Sequence, residues 1–214
     1  MVKFKTVIQG VSDLLQNNCQ VMDYKIPKSP EQYPEYLEAQ LYRCEDGNLY
    51  VPSSAIRNSF IEGLGFGTMK IGRKAAKTVL GGITTIYPGM YVPLSRNGKT
   101  INSIGKTTKK DYKSMDELHK NIDFLSISAV NHNKNAKYGG ARIMTHRPLI
   151  KLPWELSFIF ELDAEVIGLD INKTSIKQLE DAWKFAGKMV GIGCWRPQKN
   201  GLFGKFEIKE FEQI

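Results

Sequence analysis

Apolar and polar residues alternate at every second position in three segments of the chain. The first run covers residues 2–9, and the cleanest run covers residues 155–166, whose outward positions are mostly acidic. A third run covers residues 203–211. A period of two is typical of strands that bury one face, so we predict a strand in each segment.

A helix is predicted where apolar residues recur at four-residue spacing. Ile56, Phe60 and Leu64 follow the sequence Pro52-Ser53-Ser54, in which a serine can cap the first backbone amides. A short helical stretch is predicted over residues 73–80, after several glycines that interrupt a longer helix.

A second long helix is predicted near the end of the chain. Ser175 and Gln178 form a possible capping box at its start. Its apolar stripe consists of Ile176, Leu179, Trp183, Ala186 and Val190. This spacing predicts a helix with one buried face, followed by a glycine-rich turn into the last strand.

The remaining segments have weaker patterns. Residues 17–35 contain three prolines among polar residues, which predicts a long loop, and residues 37–51 predict a hairpin. Residues 81–140 are interpreted as an insertion. The element order predicts an α+β fold class, with an RRM/ferredoxin-like βαββαβ core and a large basic, thumb-like insertion. We expect a single domain over residues 1–214, with the insertion at about residues 81–150.

Composition narrows the class of protein. The chain has 214 residues, 42% of them hydrophobic and 24% charged, which is typical of an ordinary soluble protein. No apolar run is long enough for a bilayer, and the first residues lack an export signal, so no membrane partner is expected. Three widely spaced cysteines favour a reducing cytoplasm over a disulfide framework or a zinc cage. No cofactor is predicted.

Positive charge is concentrated in two segments. The formal net charge is +8. Residues 66–113 hold ten lysines and arginines against one acid, and residues 131–154 hold five against none, whereas residues 1–65 hold six against eight acids. Solvated surfaces usually mix both signs, so one-sign stretches rich in Gly, Ser, Thr and Asn favour contacts with phosphates.

Two motifs stand out in the sequence. One is the glycine-rich run Gly191-Ile-Gly193-Cys-Trp-Arg196-Pro, followed by Gly201-Leu-Phe-Gly204-Lys-Phe206. Glycines at this density allow backbone to approach another backbone or a phosphate. The other is Leu49-Tyr-Val-Pro52-Ser-Ser54-Ala-Ile-Arg57-Asn, which opens the first helix.

Together these motifs resemble those of the RAMP superfamily, and in particular the CRISPR effector backbone subunits that bind guide RNA. Ser53 stands where that family usually has glycine, and Asn58 replaces the glycine that follows its basic residue. The resemblance touches both ends of the core, about half of the chain. It implies a subunit that coats single-stranded guide RNA, partners with copies of itself in a head-to-tail filament, and assembles with other effector subunits.

The resemblance also implies which residues face the strand. These are Ser54 and Arg57 at the first helix, and Gly191, Gly193 and Arg196 at the glycine-rich loop. The basic residues Lys70, Arg73, Lys74 and Lys77 extend the predicted nucleic-acid-binding set. The candidate thumb is residues 131–147, and it adds Lys134, Lys137, Arg142, His146 and Arg147 to that set.

Aromatic rings in or beside the basic stretches could stack on bases, with ordinary packing as the alternative for each. They are Tyr87, Tyr91, Tyr112 and Tyr138. The tryptophans Trp154, Trp183 and Trp195 are assigned to core or loop packing because apolar residues flank each of them.

No catalytic or metal-binding residue is predicted. The three histidines are scattered without metal-pair spacing, and Asp13 and Asp23, the acids after the first strand, lie in no motif. Three alternatives stay open: a stand-alone phage or mobile-element homologue that binds single-stranded DNA or mimics a CRISPR subunit, a metal-independent endoribonuclease of the RAMP type, and a structural protein without a nucleic-acid role.

Overall fold

Helices and antiparallel strands make up the computed structural model, which describes residues 1–18, 26–71, 73–105, 112–130 and 142–214 and confirms the α+β class. The described strands are β1 (Val2–Gly10), β2 (Leu14–Leu15), β3 (Tyr50–Pro52), β4 (Lys70–Ile71), β5 (Lys74–Ala75), β6 (Thr84–Tyr87), β7 (Tyr91–Arg96), β8 (Lys99–Thr100), β9 (Phe124–Val130), β10 (Arg142–Ile150), β11 (Glu155–Leu162) and β12 (Phe206–Gln213). The described α-helices are α1 (Tyr33–Glu38), α2 (Ser53–Leu64), α3 (Ala76–Leu80), α4 (Met115–Asn121) and α5 (Lys173–Phe185).

The chain divides into two compact units. The first unit comprises Met1–Leu15, Tyr42–Asn102 and Lys151–Ile214, and the second comprises Gln16–Leu41 and Ser103–Ile150. The predicted insertion starts at residue 81, but β6 and β7 lie in the main sheet of the first unit. The description as one domain with an inserted segment stays a prediction.

A central antiparallel sheet organises the first unit, in the order β12, β1, β11, β7 and β3. β1 pairs with β11 from Val2 opposite Leu162 to Gln9 opposite Glu155. β6 pairs with the later half of β11 and β7 with its first residues, so both follow one edge of that strand. The three strands predicted from alternation are thus adjacent in the sheet.

Two helices cover one face of this sheet. Phe60 of α2 lies 4.6 Å from Phe160 of β11 and 4.7 Å from Trp183 of α5, measured between ring centroids. All three side chains are completely or almost completely buried. Both helices begin near the predicted positions. The apolar stripe of each helix is buried against this face of the sheet.

Close approach of the two helices depends on Gly63. A Cβ atom at this position would overlap the carbonyl oxygen of Ala182 and lie 2.8 Å from the backbone nitrogen of Ala186. Glycine is therefore required by the α2–α5 contact, although it is an unfavourable residue for a helix interior.

The starts of both long helices differ in detail from prediction. Asn172 caps α5 and accepts hydrogen bonds from the backbone of Thr174 and Ser175, and the Ser175 hydroxyl completes the capping box, so Gln178 is not its partner. At α2 the cap position is Pro52, which supplies no side-chain hydrogen bond, so the predicted serine cap is wrong.

The second unit has its own core. Its members come from α1, α4, β9 and the segments just before and just after α4: Tyr33, Tyr36, Leu37, Tyr112, Leu118, Ile122 and Phe124. β9 and β10 form an antiparallel pair, with Phe124 opposite Pro148. The predicted loop over residues 17–35 is wrong at its end, because α1 begins at Tyr33. Pro34 is compatible with the first turn of a helix, where its missing N–H has no partner to lose.

Two smaller expectations are also refined. The predicted hairpin around residue 47 is reduced to a single bridge between Arg43 and Leu49, closed by the turn from Cys44 to Asn48. Within the described ranges, no helix combines the length and apolar character needed to cross a membrane.

We expect Gly63→Ala to lower the free energy of unfolding by about 1–3 kcal/mol, because the added methyl group overpacks the α2–α5 contact. Urea denaturation followed by circular dichroism measures the change. Gly82→Ala is the matched control, since a Cβ there meets nothing within 4 Å. Equal stability of the two variants would contradict the proposed role of Gly63.

Candidate nucleic-acid interface

The sheet face opposite the helices is lined by ion pairs. Lys3 lies 3.3 Å from Glu161, Lys5 lies 2.5 Å from Glu210, and a third pair joins Lys209 to Glu155 at 2.6 Å. Side chains alternate between faces along β1 and β11, so Lys3, Lys5, Glu155 and Glu161 point away from the helix-covered side of Phe4 and Phe160. A register shift between β1 and β12 leaves Lys209 as an extra residue, and both Lys209 and its neighbour Glu210 pair with residues of this face. The hydrogen bond that the Lys5 ammonium group donates to Glu210 raises the pKa of Lys5. Each of these cations therefore already has an anionic partner.

A different distribution of charge is found at the β4–β5 hairpin, residues 70–75, which we call the basic hairpin. Lys70, Arg73 and Lys74 are exposed there, and among the described residues none of them has a carboxylate partner. Lys77 differs, because its ammonium group lies 2.6 Å from Glu62. The structure thus brings three of these four predicted residues together as an exposed cationic surface.

The predicted residues of the first helix occupy different environments. Ser54 is exposed in the first turn of α2. Arg57 is half-buried, and its Nε atom donates a hydrogen bond to the carbonyl oxygen of Thr84 at 2.9 Å. Arg57 therefore connects α2 to β6 through this hydrogen bond. The other N–H groups of its guanidinium are the donors available to a ligand.

The glycine-rich loop, residues 191–205, is an arch closed by its own backbone. Ile192 donates to the carbonyl of Gly204 at 3.0 Å, and Phe203 donates to the carbonyl of Trp195 at 3.1 Å. Its base is attached to the residues after β1, because Cys194 donates to Leu15 at 2.9 Å. These bonds fix the loop against the end of the sheet.

Backbone packing explains the conformation of the loop glycines. Gly191 and Gly193 have φ angles of 72° and 76°, in the left-handed region that favours glycine. A Cβ atom on Gly193 would overlap the carbonyl oxygen of Leu15. From the sequence alone, close packing of the backbone and close approach to a phosphate were equally good reasons for these glycines. The structure shows that the fold of the loop already requires both glycines.

Polar residues in and next to the loop also make hydrogen bonds within the protein. The Asp13 carboxylate accepts the Leu152 amide at 2.9 Å, and its backbone carbonyl accepts the Gly204 amide at 2.8 Å. Arg196 is half-buried and donates to the side chain of Gln198 at 2.8 Å. Its Nε atom is buried without a hydrogen-bond partner among the described atoms. Asp13 is thereby given a structural role.

Aromatic residues near the basic stretches are sorted by exposure. Tyr87 and Tyr91 are exposed, and the ring of Tyr91 lies 4.4 Å from Tyr50. Tyr112 is fully buried in the core of the second unit, so packing is its role. Trp195, assigned to packing from the sequence, is 43% exposed. Its exposure was missed because apolar neighbours in sequence suggest burial, but in a loop without periodicity they do not predict which side chains are buried.

His146 is a core residue of the second unit, which corrects its assignment to the binding surface. It is 7% exposed, with Nε2 3.0 Å from the Tyr33 hydroxyl and Nδ1 2.8 Å from the Ser126 hydroxyl. Both ring nitrogens therefore have protein partners. Arg147 is half-buried and bonds to the side chain of Gln40.

Part of the predicted thumb lies outside the described residues. This holds for Lys134, Lys137 and Tyr138, and also for Asp23 in the earlier segment. Arg142 is the first residue of β10, and its backbone is the described part. The contacts predicted for these residues stay predictions.

The geometry thus defines an α+β protein with antiparallel sheets, a basic hairpin and a basic glycine-rich loop. No protein-family model matches the sequence, and no curated protein does. Among solved structures the chain is similar to one chain of the Type III-B Cmr-beta complex bound to cognate target RNA, determined by cryo-EM, with a TM-score of 0.49 and 12% identity. The match covers 100% of this chain, which spans 60% of the length of that chain.

We expect the stability of the protein to fall as pH drops below about 6.5, the ordinary pKa of histidine. Burial is the main cause that lowers the pKa of His146, and His119 and Arg147 lower it further. The unfolded state then binds the proton more readily than the folded state, so the neutral ring stabilises the fold above this pH, and this stability is lost on acidification.

Urea midpoints at pH 7.5 and pH 5.5 measure this effect. His146→Gln should show a smaller decrease in midpoint between the two pH values than the unsubstituted protein. An equal decrease in both would show that protonation of other groups causes the loss.

Proposed function

We propose that this chain binds single-stranded nucleic acid through phosphate contacts made by the basic hairpin and the glycine-rich loop. The observation that carries the proposal is that some basic side chains have carboxylate partners and others do not. Lysines on the open sheet face are paired with glutamates, whereas Lys70, Arg73 and Lys74 are exposed without carboxylate partners among the described residues. When exposed lysines and arginines bind a polyanion, they release its counterions, and this release favours binding.

The architecture supports an RRM-type core. β1 is followed by α2, and β11 by α5, while β6 and β7 together act as the second strand of the motif. The spatial order β12, β1, β11 and then β6 or β7 is the order expected for a split βαββαβ sheet. The paired charges on the open face favour binding at loops and helix ends over binding on the sheet surface.

We propose guide RNA as the strand, with copies of the chain arranged head to tail and with other effector subunits as partners. This part depends on the resemblance of the Pro52-Ser-Ser54 and glycine-rich motifs to those of CRISPR backbone subunits. The contacts proposed above are to phosphates, so they suit single-stranded DNA as well, and a stand-alone phage or mobile-element homologue that binds single-stranded DNA is the alternative. The 2′-hydroxyl group distinguishes the two strands.

Binding without cleavage is also part of the proposal. Two residues that could serve acid-base chemistry are engaged in the structure: His146 is bonded at both ring nitrogens, and the Asp13 carboxylate accepts a backbone amide. These contacts favour structural roles for both side chains over direct contact with a scissile phosphate.

We expect the triple variant Lys70→Gln, Arg73→Gln, Lys74→Gln to bind a labelled single-stranded oligonucleotide more weakly on every sequence. The slope of log affinity against log salt concentration should decrease by about 2, since each phosphate contact to a single strand contributes about 0.7. Fluorescence anisotropy over a salt series measures both quantities, with RNA and DNA strands of one sequence as parallel arms.

The matched control is Lys3→Gln, Lys5→Gln, Lys209→Gln, which removes the same formal charge from the ion-paired sheet face. Its salt slope should stay close to that of the unsubstituted protein. Equal losses in the two triple variants would mean that binding follows net charge alone, and salt-independent affinity of the unsubstituted protein would refute phosphate binding.

Labelled repeat RNA should remain intact after incubation with the protein, with or without a chelator, as judged by gel electrophoresis. The reason is that the proposed contacts hold phosphates without a positioned acid-base pair. Site-specific cleavage that is lost in a histidine-to-alanine variant would instead identify a ribonuclease.

A further inference from the structure

Trp195 is the exception among the three tryptophans of the chain. Trp154 and Trp183 are fully buried, whereas Trp195 is 43% exposed. Its φ angle is 49°, in the left-handed region, where a bulky side chain is an outlier. Burial therefore does not explain why this position holds a large aromatic residue in an unfavourable backbone conformation.

The surrounding loop fixes this conformation. The carbonyl oxygen of Trp195 accepts the Phe203 amide at 3.1 Å, and the Gly201 amide is bonded to the carbonyl of Arg196 at 3.0 Å. A Cβ atom on Gly201 would overlap the Trp195 carbonyl oxygen, so the two arms of the loop meet backbone to backbone at this point. The Trp195 peptide is thus held rigidly while its indole reaches solvent.

Charged residues within the glycine-rich loop are all basic. The loop contains Arg196, Lys199 and Lys205 and no acidic residue. Lys199 is exposed, and Arg196 and Lys205 are half-buried. An exposed aromatic ring in the same loop as cations is the combination that single-strand-binding proteins use, with bases stacked on rings and phosphates held by positive charge.

We propose that Trp195 is a stacking platform for one nucleobase of the bound strand, with the adjoining phosphates held by Arg196 and Lys199. The inference rests on the proposed function and adds that the bases contribute to affinity without being read for identity, because every base has a π face. The rigid loop lowers the conformational entropy lost when the indole is covered.

Intrinsic fluorescence provides the first test. Because the other two tryptophans are fully buried, Trp195 is the indole that a bound base can reach. Addition of a single-stranded oligonucleotide should quench part of the emission of the unsubstituted protein. The same addition should leave the emission of Trp195→Phe nearly unchanged, although this variant still binds in the anisotropy assay. Equal quenching in both proteins would overturn the proposal.

Abasic strands provide the second test. The unsubstituted protein should bind a base-containing strand about 5- to 100-fold more tightly than an abasic strand of the same length. Trp195→Asn should lose this preference and bind both strands as weakly as the unsubstituted protein binds the abasic one. Asparagine tolerates the left-handed region, so this variant keeps the loop fold, and Trp195→Tyr should restore most of the preference.

Leu202→Ala is the control within the same loop, because Leu202 is 71% exposed and has no π face. A loss of preference in this variant equal to that of Trp195→Asn would overturn stacking in favour of a general apolar contact, such as one with a protein partner. Salt-dependent binding without preference for bases would also overturn the inference but keep the proposed function. Absence of binding to both strands would overturn both.

Discussion

The packing of Phe60, Phe160 and Trp183 between two helices and one face of the sheet is the constraint on which the rest of the first unit depends. Burial of each large apolar side chain stabilises the fold by about 1.5–3 kcal/mol. Gly63 makes this packing possible, because it lets α2 approach α5 at backbone distance. Once the helices cover this face, the opposite face is the one left to solvent.

The register of the central strands then decides what the open face can bind. Phe4 opposite Phe160 places the lysines on either side of Phe4 against acidic neighbours, Glu161 on β11 and Glu210 on β12. Surface pairs of this kind contribute little to the stability of the fold, but they cancel the local charge. This cancellation is why we propose the basic hairpin and the glycine-rich loop, and not the open sheet face, as the surface that binds a polyanion.

Strands and the long helices could be predicted because their signals are local. The alternation in β1 and β11 and the four-residue stripe of α2 each reflect one buried face, and the structure confirms all three. Features that depend on distant residues could not be predicted in this way. The burial of His146 depends on Tyr33, more than a hundred positions earlier, and the pairing of Lys5 with Glu210 requires the strand order.

The glycine-rich loop shows that a high density of glycines in a sequence can have more than one physical cause. Its glycines suggested close approach of a phosphate, but the geometry of Gly193 and Gly201 is set by carbonyl groups of the protein itself. If the glycines serve the fold of the loop, recognition has to come from the side chains that this fold presents. Those side chains are the exposed Trp195 and Lys199 and the half-buried Arg196, a combination of aromatic surface and positive charge that suits a single strand better than a base-paired duplex, whose bases have no free π face.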